Sequence, residues 1–156
     1  MPRRRRPDRG AQAPVIPIAF NLPRTVTLLA DLALLGLAAT HGYLLATAAG
    51  APGYFRVYCV AVMIGCVVAA AVTWIDVDDV VPRLGWLAGS VICTAFGIGY
   101  LISRWVSLPG LPALTGRWDL APGSLALVCA AGFLGLYLTV LMGINVAFGQ
   151  RRDWRD

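Results

Sequence analysis

Four long apolar segments constrain this chain more than any other feature of its sequence. They cover about residues 25–48, 54–75, 84–106 and 123–148, and short polar breaks separate them. A helix needs roughly 20 apolar residues, at about 1.5 Å of rise each, to cross the hydrocarbon core of a bilayer. Each segment reaches that length. The sequence therefore predicts an all-α fold, an integral membrane four-helix bundle.

The 156 residues, 58% of them hydrophobic, leave little mass for a soluble domain. We predict a four-transmembrane-helix domain over residues 24–149. A disordered, Arg/Pro-rich cytoplasmic tail over residues 1–23 is expected before it, and a cytoplasmic tail over residues 150–156 after it. All thirteen basic residues are Arg, which excludes Lys-dependent chemistry. No catalytic dyad is visible, and we predict that the protein is not an enzyme.

The distribution of Arg predicts the orientation. If both termini are cytoplasmic, Arg56, Arg104 and Arg117 lie outside, and the other ten of the thirteen basic residues lie inside. Cytoplasmic segments of membrane proteins carry such an excess of positive charge. We therefore expect a multi-pass protein of the plasma (inner) membrane, with cytoplasmic N- and C-termini. Arg56 and Arg104 are expected to extend to the headgroups as anchors.

The first apolar segment has an alternative interpretation as a secretory signal cleaved after Ala46-Thr47-Ala48. However, it is longer than the usual signal core of about 7–15 residues. It also contains Asp31 and His41. These features favour an uncleaved membrane anchor.

Small residues recur every four positions in the last two segments. Lipid tails give apolar helices no hydrophobic reason to associate, so close approach through small residues must hold them together. The recurring residues are Gly85, Gly89, Cys93 and Gly97 in the third segment, and the pairs Ala131/Gly135 and Gly143/Ala147 in the fourth. Beyond the lipid bilayer, the expected partners are a second copy or a larger membrane complex. No basic surface with interleaved aromatic residues supports nucleic-acid binding.

One set of polar residues is predicted to form an intramembrane layer near the cytoplasmic side. A lone charge in a span costs roughly 2.5–3.5 kcal/mol on insertion scales, so Asp31 should face protein or water. Asn145, Thr73 and Ser90 are expected at a similar depth. The layer could be a titrating carboxylate that carries protons or a cation, or a hydrogen-bonded clamp between helices. The clamp is the favoured interpretation.

The single histidine is the candidate for metal chemistry. His41 and Met63 should reach similar depths, and Cys59, Met63 and Cys66 share one face of the second helix. These side chains could bind copper or, with less support, haem. Cys and Met are also ordinary core residues, and the chain has no Cys-x-x-Cys and no second His. Packing is therefore the favoured interpretation, and we predict no cofactor.

A cluster of acidic residues, Asp76, Asp78 and Asp79, lies between the second and third segments. Carboxylates so close together could hold a divalent cation. Pro82 follows directly, and the pattern is typical of a helix that starts there with Asp78 or Asp79 as its cap. We favour the capped turn.

Several short motifs surround the third break. They are Gly99-Tyr100, Ser103-Arg104, Leu108-Pro109-Gly110, Trp118-Asp119, Pro122-Gly123 and Ser124-Leu125. In this last third the chain resembles uncharacterised small four-span membrane proteins of actinobacteria. The resemblance implies the same architecture and no particular activity. That group also carries an acidic residue early in the fourth helix, where this chain has Val128-Cys129-Ala130.

Overall fold

The computed structural model of the chain describes residues 22–47, 50–75, 77–78, 80–110, 115–116, 118 and 121–147. In these ranges the chain forms four helices and no strand: α1 (Pro23–Thr47), α2 (Gly53–Thr73), α3 (Val80–Trp105) and α4 (Ala121–Leu141). The predicted all-α four-helix architecture is confirmed. Each helix is long and apolar enough to cross a membrane. The chain is therefore a small multi-pass membrane protein in contact with a lipid bilayer.

The helices form a closed ring in which each packs against two others. α1 contacts α2 and α4, and α3 contacts the same two helices. Neighbours in the ring are antiparallel. Asp31 near the start of α1 contacts Thr73 at the end of α2. Gly85 near the start of α3 packs on the same Thr73, and Gly123 at the start of α4 packs on Arg104 at the end of α3. The bundle thus has one end where α2 and α4 finish, called here the Trp74 end. At the other, called the Trp105 end, α1 and α3 finish.

The inward face of α1 combines apolar and polar residues. Its buried positions recur at spacings of three and four, as one face of a helix requires. They include Ala30, Asp31, Leu34 and His41. Leu28 and Leu32, on the other side of the helix, are half exposed. This distribution suits a bundle in lipid, where large apolar side chains can face outward and ionisable ones must be enclosed.

Small residues of α3 allow close contact with two neighbouring helices. A methyl group added to Gly85 would lie 2.8 Å from the backbone nitrogen of Thr73 on α2. One added to Gly89 would lie 2.5 Å from the ring of Phe133 on α4. Cys93 continues the same buried face, whereas a methyl group on Gly97 would meet nothing within 4 Å. The predicted groove therefore packs the bundle at its first three positions.

The fourth helix is shorter than the sequence predicted. It ends at Leu141, and Phe148, where we expected its end, lies outside the described residues. Gly143 adopts a positive φ of 71°, and the Thr139 carbonyl accepts hydrogen bonds from the backbone N–H groups of Ile144 and Asn145. A left-handed glycine after the last turn is a common way to end a helix. Gly143 and Ala147 therefore do not continue the helical small-residue repeat, which corrects that prediction.

The connection from α2 to α3 contains the predicted helix cap. Asp78 Oδ1 accepts hydrogen bonds of 2.9 Å from the backbone N–H groups of Val80 and Val81. These N–H groups belong to the first turn of α3 and have no partner within the helix. The cap on Asp78 is confirmed. Asp76 and Asp79, the rest of the acidic cluster, lie outside the described residues.

Candidate functional site

The carboxyl group of Asp31 lies between α1 and the last turn of α2. It is 4% exposed and accepts a hydrogen bond from the indole N–H of Trp74. The Thr73 hydroxyl, which is fully buried, lies 3.2 Å from each carboxyl oxygen. The two donors are the last residue of α2 and the residue that follows it, so this single carboxyl group fixes the relative position of α1 and α2 at the Trp74 end.

The Thr73 hydroxyl is shared between two acceptors. Its oxygen lies 2.6 Å from the carbonyl oxygen of Ala70, closer than to the Asp31 carboxyl group. A hydroxyl carries one hydrogen and can donate it fully in only one direction. Asp31 therefore shares the Thr73 hydroxyl with the Ala70 carbonyl. It does not share the Trp74 N–H with that carbonyl.

The other two residues of the predicted layer have different partners. The Ser90 hydroxyl is buried and donates to the Leu87 carbonyl of its own helix at 2.8 Å. The Asn145 amide donates to the Thr139 hydroxyl at 2.9 Å, next to the end of α4. Its Oδ1 is buried and has no hydrogen-bond partner among the described residues. The hydrogen bonds thus join Asp31 to Thr73, while Ser90 and Asn145 each bond within their own part of the chain.

The His41 ring is enclosed at the opposite end of the bundle. It is 1% exposed, and its centroid lies 5.5 Å from that of Tyr58 and 5.3 Å from that of Phe96, both in edge-to-face contact. Nδ1 lies 2.8 Å from the Leu37 carbonyl oxygen, which can only accept, so Nδ1 carries a hydrogen. In the neutral ring Nε2 is then an acceptor. It lies 3.4 Å from the Tyr58 hydroxyl.

The candidate metal ligands lie in ordinary helix contacts. Cys59 and Cys66 are fully buried on α2, and the Met63 thioether packs near Gly42 of α1. Both nitrogens of His41 already face oxygen atoms. Among the residues that the structure describes, no three His, Cys, Asp or Glu side chains converge on a common point. The contacts of these four residues therefore match the packing interpretation.

A cavity beside His41 was not predicted from the sequence. It has a volume of about 440 Å³, and residues from all four helices line it, including His41, Tyr58, Phe96 and Ala126. Single apolar and aromatic residues spread over four helices carry no signature in the sequence, because only the packing brings them together. The sequence feature that could have indicated the cavity is the enrichment of aromatic residues at the start of α2 and at the end of α3.

Arg104 also lines this cavity, which corrects an expectation. The sequence placed it at the headgroups as an extended anchor, but the side chain is 5% exposed. Its guanidinium carbon lies 4.3 Å from the centroid of the Tyr100 ring, a cation–π contact. Arg56, assigned the same role, is exposed. The aromatic ring of Tyr100 thus holds Arg104 against the bundle.

Comparisons of the chain with family models, with curated proteins and with solved structures found no match. The resemblance to four-span proteins of actinobacteria therefore stays a prediction from the loop motifs.

Proposed function

We propose that the protein is a non-enzymatic interaction subunit of a membrane assembly, with both termini in the cytoplasm and the plasma membrane as its location. The observation that supports this most is the outward face of α4. Ala131, Gly132 and Gly135 are exposed there, between the exposed large side chains of Val128 and Leu138. A methyl group added to either glycine would meet nothing within 4 Å.

Among the residues that the structure describes, these glycines have no packing partner for a side chain. Glycine destabilises a helix interior by about 1 kcal/mol relative to alanine, so an unused glycine calls for another explanation. Small residues four positions apart let two membrane helices approach closely, and Ala131 and Gly135 have that spacing. The buried face of α4, with Ala126, Ala130 and Phe133, already packs within the bundle. The outward face is thus available for a helix of a partner subunit.

Two matched substitutions test this function. Ala131→Leu adds bulk to the outward face of α4, and Ala61→Leu makes the same change at an exposed position of α2. We expect the wild type to co-purify with a second copy or another membrane protein after mild detergent extraction from its native host. Ala131→Leu should lose that partner, and Ala61→Leu should keep it. A monodisperse wild-type monomer without any partner would contradict the proposal.

The alternative is a small proton- or cation-coupled transporter in which Asp31 titrates. The observation in its favour is a carboxyl group enclosed within a membrane bundle, since such groups often mark ion pathways. Its 4% exposure and its two donors at the end of α2, Thr73 and the following Trp74, support the structural clamp instead. Reconstituted vesicles decide between them. A flux driven by a pH gradient that disappears in Asp31→Asn would favour transport, and no flux in the wild type would exclude it.

A further inference from the structure

The cavity at the Trp105 end is built for an apolar molecule. Its volume of about 440 Å³ lies within the range of roughly 300–1,000 Å³ typical of small-molecule sites. Its wall is almost entirely apolar, with Leu44, Phe55, Phe96 and Ala126 among the lining residues. Water gains little in such a space, because it needs several polar partners to compensate for its loss of bulk hydrogen bonds. A hydrocarbon body fits the wall better.

Part of the cavity wall reaches the outer surface of the bundle. Tyr54, Gly99 and Ile102 line it and are exposed on the outer surface of α2 and α3. A methyl group on Gly99 would meet nothing within 4 Å, so the glycine leaves space there. A ligand can therefore enter sideways from the bilayer without passing through water.

Two polar groups on facing helices meet at the wall of the cavity. His41 Nε2 is an acceptor in the neutral ring, because Nδ1 donates to the Leu37 carbonyl. The Tyr58 hydroxyl lies 3.4 Å from Nε2, which is beyond the usual hydrogen-bond range of about 2.7–3.2 Å for nitrogen and oxygen. His41 is 1% exposed, so bulk solvent does not supply a better donor.

A ligand hydroxyl matches this pair of groups. It can donate its hydrogen to His41 Nε2 and accept one from the Tyr58 hydroxyl. A carbonyl or an ether oxygen can accept from Tyr58 but has nothing to donate to Nε2. An unpaired buried acceptor is unfavourable, so the pair selects an alcohol over its ether or aldehyde.

We propose that this cavity binds a membrane-soluble alcohol, with its hydrocarbon body against the apolar wall and its hydroxyl between His41 and Tyr58. Linear isoprenoid alcohols belong to this class. The Arg104 guanidinium, which lies over the Tyr100 ring, lines the same cavity. Because a guanidinium pairs with carboxylates, a lipid carboxylate is the competing ligand. The experiment separates the two.

The test uses native mass spectrometry of the full chain in detergent, with farnesol as the probe. Farnesyl methyl ether has the same skeleton without the hydroxyl hydrogen, and oleate supplies a carboxylate. We expect saturable binding of one farnesol. The ether should bind about tenfold more weakly, the equivalent of one neutral hydrogen bond. Equal binding of alcohol and ether, preferential binding of oleate, or no binding of farnesol would each overturn the proposal.

Matched variants locate the site. Tyr58→Phe removes one hydroxyl and should weaken farnesol about tenfold, while Tyr43→Phe, at an exposed tyrosine outside the cavity, should change nothing. Gly99→Leu fills the space that Gly99 leaves and should abolish binding. Gly97→Leu adds the same bulk at a position that does not line the cavity and should preserve binding. The two variants are matched because an added methyl group at either glycine would meet no described atom within 4 Å. Undiminished binding by Gly99→Leu would also refute the assignment.

Discussion

Asp31 on α1 and Trp74, the residue that follows α2, are joined by a hydrogen bond from the indole N–H to the carboxyl group. The two residues are 43 positions apart in sequence, and the bond closes the Trp74 end of the first helical hairpin. Thr73 adds a second donor, but its hydroxyl is shared with the Ala70 carbonyl. Trp74 is therefore the more important partner of the buried carboxyl group.

Replacing Trp74 by Phe should lower the free energy of unfolding by about 0.6–2 kcal/mol, the range for interhelical hydrogen bonds in membranes. Phe keeps an aromatic ring and removes the N–H. Unfolding by SDS in mixed micelles, followed by circular dichroism, measures the change. Trp105→Phe is the matched control, because Trp105 is 73% exposed at the other end of the bundle. Equal losses in the two variants would show that the hydrogen bond contributes nothing specific.

Gly85 should tolerate no side chain. A methyl group added to Gly85 would lie 2.8 Å from the Thr73 backbone nitrogen and 3.0 Å from the Ala69 carbonyl oxygen, and backbone atoms cannot rotate away. Overpacking of this kind costs about 1–3 kcal/mol. We expect Gly85→Ala to lower the melting temperature in detergent, measured by thermal denaturation and size-exclusion chromatography. Gly97→Ala, where the methyl group meets nothing, should not lower it. The opposite ranking would contradict the observed packing of α3 on α2.

The sequence was sufficient to predict the helices because the bilayer imposes a minimum apolar length, which all four segments exceed. It also predicted the Asp78 cap, which depends on residues adjacent in sequence. The partners of Asp31 were only partly predictable. Thr73 was expected at the same depth, but Trp74 was not included in the predicted layer, since depth alone does not reveal which way a side chain turns. The cavity around His41 depends on packing between four helices, which no local pattern encodes.

Gly143 should resist substitution for a conformational reason. Its φ of 71° lies in the left-handed region, which costs a residue with a Cβ about 1–2 kcal/mol. No atom of the described residues lies within 4 Å of an added methyl group, so Gly143→Ala tests backbone strain without a clash among them. We expect a loss of stability of that size, measured by SDS unfolding. Gly143→Asn should lose less stability than Gly143→Ala, because Asn adopts the left-handed conformation more readily. Identical stability of the wild type and Gly143→Ala would mean that the last turn rearranges freely.

Trp86 tests how the bundle uses a buried aromatic residue without a hydrogen bond. The side chain is 2% exposed and stacks on Phe133 and Tyr137, with ring centroids 5.4 Å and 6.0 Å away. Its indole nitrogen has no hydrogen-bond partner among the described residues. The side chain therefore contributes through ring contacts and volume. Trp86→Ala should lower the free energy of unfolding by about 3–5 kcal/mol, as for other large-to-small core substitutions.

Trp86→Phe should lower the free energy of unfolding much less, because it keeps the stack and removes a buried donor that has no partner among the described residues. Both variants can be measured by SDS unfolding in the same micelles. If Trp86→Phe is as damaging as Trp86→Ala, the N–H must bond to a group outside the described residues. If it is nearly neutral, the aromatic stack of α3 on α4 is what stabilises this side of the ring of helices.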